Sequence, residues 1–316
     1  MHILVSGAAG FIGSHLCDAL VELGHKVTGV DDLSLGREQN LQALAGNPDF
    51  TFVEADVLDR SALARLFGSA DPAFEAVFHL AANSDIARSH EAPEIDLQNT
   101  FLTTFNILDA MRKAGVKQLV FASTSAIYGE VPGKIREDHG PLLPISHYGA
   151  AKLASEAFIS SFGDNYGIQS WIVRFPNVVG ARATHGVVYD FVQKLRRRPG
   201  RLEVLGDGNQ VKPYLAVSDL VAAMLKIWSS ARDRINVYNV GTFTRSMVAD
   251  IARTVIEEGP RQSAEIRFTG GDRGWAGDVP TFDYDFSAVR ALGWEPSMTS
   301  DEAVRAAAKA IWMEVE

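Results

Sequence analysis

Residues 2–32 read HILVSGAAGFIGSHLCDALVELGHKVTGVDD. A short apolar strand, Ile3-Leu-Val5, runs into glycines at positions 7, 10 and 13. A helix follows with Leu16, Leu20 and Leu23 on one face, stopped by Gly24. A second strand, 26–30, ends in Asp31-Asp32. This is a βαβ unit with a glycine-rich first turn. Gly7, Gly10 and Gly13 allow a tight turn, close backbone approach to a pyrophosphate and close helix–strand packing, with the helix N-terminus facing the anion. Asp31 and Asp32 stand about 20 residues beyond the glycines, where a carboxylate binds a ribose 2′-hydroxyl. A 2′-phosphate is repelled there, and no arginine follows before Arg37. The expected dinucleotide is NAD rather than NADP.

The alternation continues. Strands at 51–53, 76–80, 119–121 and 171–173 end at Asp56-Val57, Ala81-Ala82, Ser123-Thr124-Ser125 and Arg174. Helical patterns separate them, notably 97–114 with Gly115 as its C-cap. Strands alternating with helices imply an α/β fold, a doubly wound parallel sheet of the Rossmann type. Ligands of such sheets bind at the carboxyl ends of the strands, so these strand-end residues are expected to line one crevice. Beyond about residue 175 the loops lengthen. Helical stretches at 187–197, 248–257 and 302–314 alternate there with short strands such as 237–240. The expected division is a dinucleotide-binding domain over 1–175, with later returns near 210–220 and 235–245. Residues 176–316 then form mainly a smaller α/β region that closes over the crevice and binds substrate.

Tyr148-Gly-Ala-Ala-Lys152 sits in a helical pattern with Leu153, Ala157 and Phe158 on its apolar face. Positions i and i+4 share a face, so Tyr148 and Lys152 project side by side. An ammonium beside a phenol stabilises the phenolate and makes the tyrosine a base near neutrality. The same spacing occurs by chance on amphipathic helices, so the neighbouring motifs decide its meaning.

Composition narrows the partners. Thirty basic residues against 39 acidic ones give a net charge of −9, which argues against a nucleic acid held by charge. One cysteine, Cys17, excludes an internal disulfide and fits a reducing cytoplasm. No run approaches the ~18 uninterrupted apolar residues of a membrane span, and the glycine-broken start lacks the basic region of a signal peptide. The histidines show no metal-ligand spacing, and no metal site is expected. His79, inside an apolar strand, reads as packing.

Taken together, the glycine triad, Asp31, Asp56-Val57, the hydroxyl cluster at 123–125, and Tyr148 with Lys152 resemble the extended short-chain dehydrogenase/reductase family. Within it they are similar to the NAD-dependent nucleotide-sugar epimerases. The resemblance runs from residue 3 to about 312 and includes Arg174-Phe-Pro-Asn177, Gly206-Asp-Gly-Asn-Gln210, Val217-Ser-Asp219 and Leu292-Gly-Trp294. In texture the chain is most like the compact archaeal-type UDP-glucose (UDP-galactose) 4-epimerases, through 185–191 and 272–278.

The resemblance implies epimerisation of a UDP-hexose at C4, by transient oxidation to a 4-keto sugar and re-reduction on the other face. NAD is then a recycled cofactor. Tyr148 is the implied acid–base group, Lys152 its partner and a ligand of the nicotinamide ribose, and Thr124 a hydroxyl on the same oxygen. Phe11 and Ile12 imply backbone amides to the pyrophosphate. Asp56, with Val57 beside it, implies an adenine contact. Leu80, Ala81 and Ala82 border the adenosine ribose and pyrophosphate, and Asn99 lies near the cofactor. Asn177, Lys212 and Arg273 imply contacts to the sugar diphosphate.

Three positions depart from the family pattern. Lys212 stands where an arginine is usual, Arg273 lies two residues farther from Asp278 than is usual, and Pro176 replaces an aromatic residue. The 4,6-dehydratases carry an Asp-Glu pair directly after the threonine, and here Ser125 and Ala126 follow it. An N-acetylhexosamine or uronate epimerase, a nucleotide-sugar dehydratase or decarboxylase, a net oxidoreductase that releases NADH, and a non-catalytic NAD(H) sensor remain alternatives. Relatives pair through helices like 97–114 and 148–162, which implies a homodimer.

Overall fold

The computed structural model describes residues 1–84, 86–271 and 283–315. Strand β1 (His2–Ser6) is buried along its whole length, because it is an interior strand of a sheet whose two faces are both covered by helices. Its alternating side chains serve two cores. Ile3 and Val5 pack with Leu16 and Leu20 of helix α1 (Phe11–Glu22) and with Leu220, Met224 and Ile227 of the helix Val217–Ser230. Leu4 faces the opposite layer, with Ile107, Leu108, Met111, Ile159 and Phe162. Each such fully buried aliphatic side chain contributes about 1.5–3 kcal/mol.

Strands β2 (Lys26–Asp31), β3 (Phe50–Glu54), β4 (Ala76–His79), β5 (Gln118–Thr124) and β6 (Gln169–Phe175) join β1 in a parallel sheet. A seventh strand, Ile235–Asn239, adds to its β6 edge. The order is 235–239, β6, β5, β4, β1, β2, β3. This is the doubly wound sheet that the sequence predicts. The winding reverses between β1 and β4, and a crevice opens at the carboxyl ends of such a pair. A third core lies outside the sheet. It joins Phe191, Val192 and Leu195 to Ile251, Val255, Val304 and Ile311 of the helices Val187–Arg197, Val248–Glu257 and Ser300–Val315.

The helix predicted over 97–114 departs from expectation. Residues Leu97–Leu102 are π-helical, and only Thr103–Ala114 is α-helical, closed by Gly115 in the left-handed conformation. Threonine hydroxyls satisfy the backbone of the widened turn. Thr103 Oγ1 donates to the carbonyls of Asn99 and Thr100 (both 3.1 Å), and Thr104 Oγ1 donates to that of Thr100 (3.0 Å).

Behind β5 and β6 lies a buried ion pair. Arg174 donates from Nη2 to Glu156 Oε2 at 2.6 Å and from Nε to Oε1 at 3.0 Å, and each side chain is 7% exposed. Ser123 Oγ donates to Glu156 Oε1, and Arg174 Nη1 donates to the Tyr128 hydroxyl at 2.8 Å. Tyr128 in turn donates to Asn239 Oδ1 at 2.7 Å. This network fastens the helix His147–Tyr166 to the ends of three strands. Glu156→Gln leaves Arg174 charged and buried, and is expected to cost ~3–5 kcal/mol in urea unfolding. A loss below ~1 kcal/mol would show that the pair does not hold this end of the sheet together.

Candidate active site

The turn after β1 and the first turn of α1 exclude a side chain at Gly7 and at Gly13. Gly7 sits at φ +75°, and a Cβ there would stand 2.7 Å from the Ala81 nitrogen at the end of β4. A Cβ on Gly13 would stand 1.9 Å from the Gly7 carbonyl oxygen. Both clashes are with backbone, so neither can relax. The bare turn places the N-terminus of α1 at the mouth of the crevice between β1 and β4.

Asp31 ends β2 and is buried. Its Oδ2 accepts from the Ala9 amide at 3.0 Å and its Oδ1 from the Leu33 amide at 2.9 Å. Burial pushes its carboxyl up, and the amides of Leu33 and Ala9 pull it down. A fixed carboxylate beside an amide-lined, glycine-walled cradle fits the ribose and pyrophosphate of a dinucleotide. The Arg37 guanidinium is turned toward Tyr189, donating to its hydroxyl at 2.8 Å and lying over its ring.

A cavity of about 790 Å³ runs from this turn along the carboxyl ends of the strands. Its walls include Gly7, Gly10, Phe11, Ile12, Gly13, Asp31, Asp32, Asp56, Val57, Leu80, Ala81, Ala82, Asn99, Thr124, Tyr148, Lys152, Asn177 and Lys212. Arg273, like Trp275 and Gly277-Asp278, lies outside the described residues. The sequence did not single out Ile145, Ser146 or Tyr189, which also line the cavity. Nor did it show the ties across it. His15 Nε2 donates to the Ala181 carbonyl at 3.0 Å, and Arg182 donates to Asp18 at 2.7 Å. These bonds hold the substrate-side segment from 180 onward against α1. Glu156 carried a readable signal, since it follows Lys152 by one helical turn on the same face.

Ser146 caps the helix His147–Tyr166 by accepting from the Gly149 amide at 3.1 Å. The first turns of that helix carry Tyr148 and Lys152. Lys152 is 2% exposed. Its ammonium donates to the Ala122 carbonyl at 2.7 Å and lies 4.6 Å from the Phe121 ring centre and 5.9 Å from that of Tyr148. Burial pulls Lys152 down to about 7, against the carboxylates of Glu156 and Asp96.

The sequence led us to expect a Tyr148 phenol lowered by Lys152. The protein on its own differs. Burial pushes the Tyr148 phenol up, the Asp96 carboxylate pushes it the same way, and a hydrogen bond with Thr124 pulls it down. Desolvation dominates, and the Lys152 ammonium is aimed at the Ala122 carbonyl rather than at the phenol. His79 is fully buried between Ser6 Oγ (2.6 Å) and Thr104 Oγ1 (3.0 Å), and burial pushes it down to about 3. It is a neutral packing residue, as its apolar strand suggests.

No helix among the described residues is long and apolar enough to cross a membrane. Comparison with known proteins extends the local geometry to the whole chain. UDP-glucose 4-epimerase from Mycolicibacterium smegmatis is 33% identical over 314 residues, 96% of each chain. A crystal structure of a UDP-galactose 4-epimerase is similar at a TM-score of 0.87 with 38% identity, covering 100% of both chains. That of Thermotoga maritima UDP-glucose 4-epimerase with UDP-glucose reaches a TM-score of 0.89 with 32% identity, also over the whole of both chains. Residues 3–241 match the model of the NAD dependent epimerase/dehydratase family, and that span holds both the glycine turn and the Tyr148–Lys152 helix. On that match the chain belongs to the NAD-dependent epimerase/dehydratase family.

Proposed function

We propose that the chain epimerises a UDP-hexose at C4, interconverting UDP-glucose and UDP-galactose with NAD as a recycled cofactor. The observation that carries this reading is the meeting of Tyr148, Lys152 and Thr124 on one cavity with the glycine turn and Asp31. The full-length likeness to UDP-glucose and UDP-galactose 4-epimerases supports the choice of sugar nucleotide.

Inverting C4 requires loss of a hydride and of the 4′-hydroxyl proton, then return of both on the opposite face. Bound NAD supplies the hydride acceptor, the donor that returns it, and a positive ring charge that favours phenolate at Tyr148. Tyr148 takes the hydroxyl proton and later gives it back. Thr124, at the end of β5, orients the same oxygen. Lys152 holds the nicotinamide ribose, and its charge supports the phenolate. Gly7, Gly10, Phe11, Ile12 and Gly13 cradle the pyrophosphate. Asp31 and Asp32 receive the adenosine ribose, and Asp56, Val57, Leu80, Ala81, Ala82 and Asn99 form the remaining cofactor wall. Asn177 and Lys212 face the sugar diphosphate, Lys212 as a point charge without the fork of an arginine, and Arg273 is assigned to the diphosphate by the family resemblance alone. Ser125 and Ala126 lack the carboxylic acid that eliminating a 6-hydroxyl needs, which disfavours a 4,6-dehydratase.

A homodimer belongs to the same reading. Leu97 is 54% exposed, Leu102 36% and Phe158 39%, and Phe101 and Phe105 pack edge-on against Phe158. These side chains lie on the helices expected to pair. A patch of this kind marks an interface. Phe158→Asp is expected to shift the protein from dimer to monomer in sedimentation equilibrium, and an unchanged dimer would exclude this face.

The reaction is tested by mixing the protein with UDP-galactose, adding no NAD, and following the sugar by NMR. Glucose and galactose signals should reach equilibrium without NADH accumulating. A 4-keto-6-deoxy product, or no turnover, sinks the reading. Tyr148→Phe should keep NAD bound while turnover falls by ~10²-fold or more. Turnover at the wild-type rate would remove Tyr148 from the mechanism.

A further inference from the structure

Asp96 is a carboxylate only 1% exposed, on the short helical turn that leads into the π-helical segment. Its Oδ1 accepts from Asn83 Nδ2 at 3.1 Å and from Thr100 Oγ1 at 2.9 Å. Both donors are neutral. Its Oδ2 is buried and has no hydrogen-bond partner among the described residues. Leaving a buried polar atom unbonded costs ~1–3 kcal/mol, and more for a charge. Such an atom calls for an explanation.

The surroundings supply one. Residues Glu94–Asp96 and Leu97–Leu102 pack against the helix His147–Tyr166, and the charge of Asp96 acts on both Tyr148 and Lys152. Among the described residues, the other groups that act on the pair are compensated or neutral. Glu156, on the same helix, is bonded to Arg174 of β6 and to Ser123 of β5. His79 of β4 is held neutral between Ser6 and Thr104. β5 contributes the Ala122 carbonyl and the Thr124 hydroxyl. Among the described residues, Asp96 is therefore the one uncompensated charge acting on the pair.

We propose that Asp96 is a positioning residue of the Tyr148–Lys152 pair, its unbonded Oδ2 supplying the negative charge that keeps Lys152 an ammonium in its buried seat while Tyr148 moves the substrate proton. This rests on the roles given to Tyr148 and Lys152 in the epimerase reading. The sign follows from electrostatics. An anion beside the pair favours the ammonium and disfavours the phenolate, so it raises both ionisations. Removing it lowers both, and the two groups titrate as a unit.

Asp96→Asn keeps the shape and one acceptor oxygen. In the NAD-containing protein, both limbs of the pH profile of kcat are expected to move to lower pH by about one unit. The ultraviolet absorption of ionised Tyr148, read as the difference from Tyr148→Phe, should move in the same direction. A lower maximum with both limbs in place would mean that Asp96 only supports the fold, and overturns the proposal. The absorbance titration needs no substrate. A shifted titration in a protein that converts no UDP-hexose upholds the action of Asp96 on the pair and sinks the epimerase reading alone. If Asp96→Asn does not fold, Thr100→Val removes one of the two bonds that aim the carboxylate. It should move the limbs the same way by less, and unmoved limbs overturn the proposal.

Discussion

Between β1 and α1 the chain has no room for a side chain at Gly7 or Gly13, and much of the molecule is arranged by that steric fact. With hydrogen in place of Cβ at Gly7 the segment after β4 can lie against the end of β1, and at Gly13 the start of α1 can lie against the Gly7 carbonyl. The sheet reverses its winding between the same two strands. The cradle at the start of α1 therefore opens at the one place where helices from the two halves diverge and leave a crevice. Asp31 locks the arrangement from the side by accepting from the amides of Ala9 and Leu33. A methyl group at Gly13 would displace backbone rather than a side chain, so the cradle tolerates no conservative replacement there.

The second organising feature is electrostatic. Burying a lysine and a tyrosine in one wall works against the charged form of each. The fold limits the damage to Lys152 with the Ala122 carbonyl, the Phe121 ring and two carboxylates, and still leaves the ammonium near neutrality. Of those carboxylates, Glu156 is bonded to Arg174 and does structural duty, while Asp96 is bonded only to neutral groups. One face of that helix thus carries Tyr148 and Lys152 in its first turns and, one turn further on, the carboxylate that fastens the sheet. A side chain near its own ionisation midpoint at working pH answers readily to small changes of neighbouring charge, which is the property an acid–base pair requires.

What could be read from the sequence was local. Gly7, Gly10, Gly13, Asp31 and Asp56 are tied to regular elements whose periodicity shows in a few residues, and the strand-end residues follow from the sheet they terminate. Tyr148 and Lys152 are one helical turn apart, so their shared face was legible as well. The direction in which Tyr148 is shifted was not, because burial is set by neighbours distant in sequence. Asp96 was hidden for the same reason: as one acidic residue in a polar stretch it looks like surface, and only the π-helical turn and the packing of 94–102 carry it inside. The bonds of Arg37 to Tyr189 and of His15 to Ala181 span 152 and 166 residues, beyond the reach of any local pattern.

The two walls of the cavity are built differently, and the proposed chemistry depends on the difference. The cofactor wall is made of strand ends and helix starts, each fixed by the sheet and by the Glu156–Arg174 network. The facing wall comes from 177–190 and the Lys212 strand, held to α1 by His15 and Arg182 and to the β2 loop by Arg37. An epimerase turns its sugar between two hydride transfers, so the dinucleotide has to stay still while the hexose moves. The second wall is thus anchored to α1 and to the loop after β2 by His15, Arg182 and Arg37. The pair at Tyr148 and Lys152 then reports the chemistry at C4. In the proposed reading the substituents at C2 and C6 would meet the loop-built wall, which includes Pro176 and Lys212.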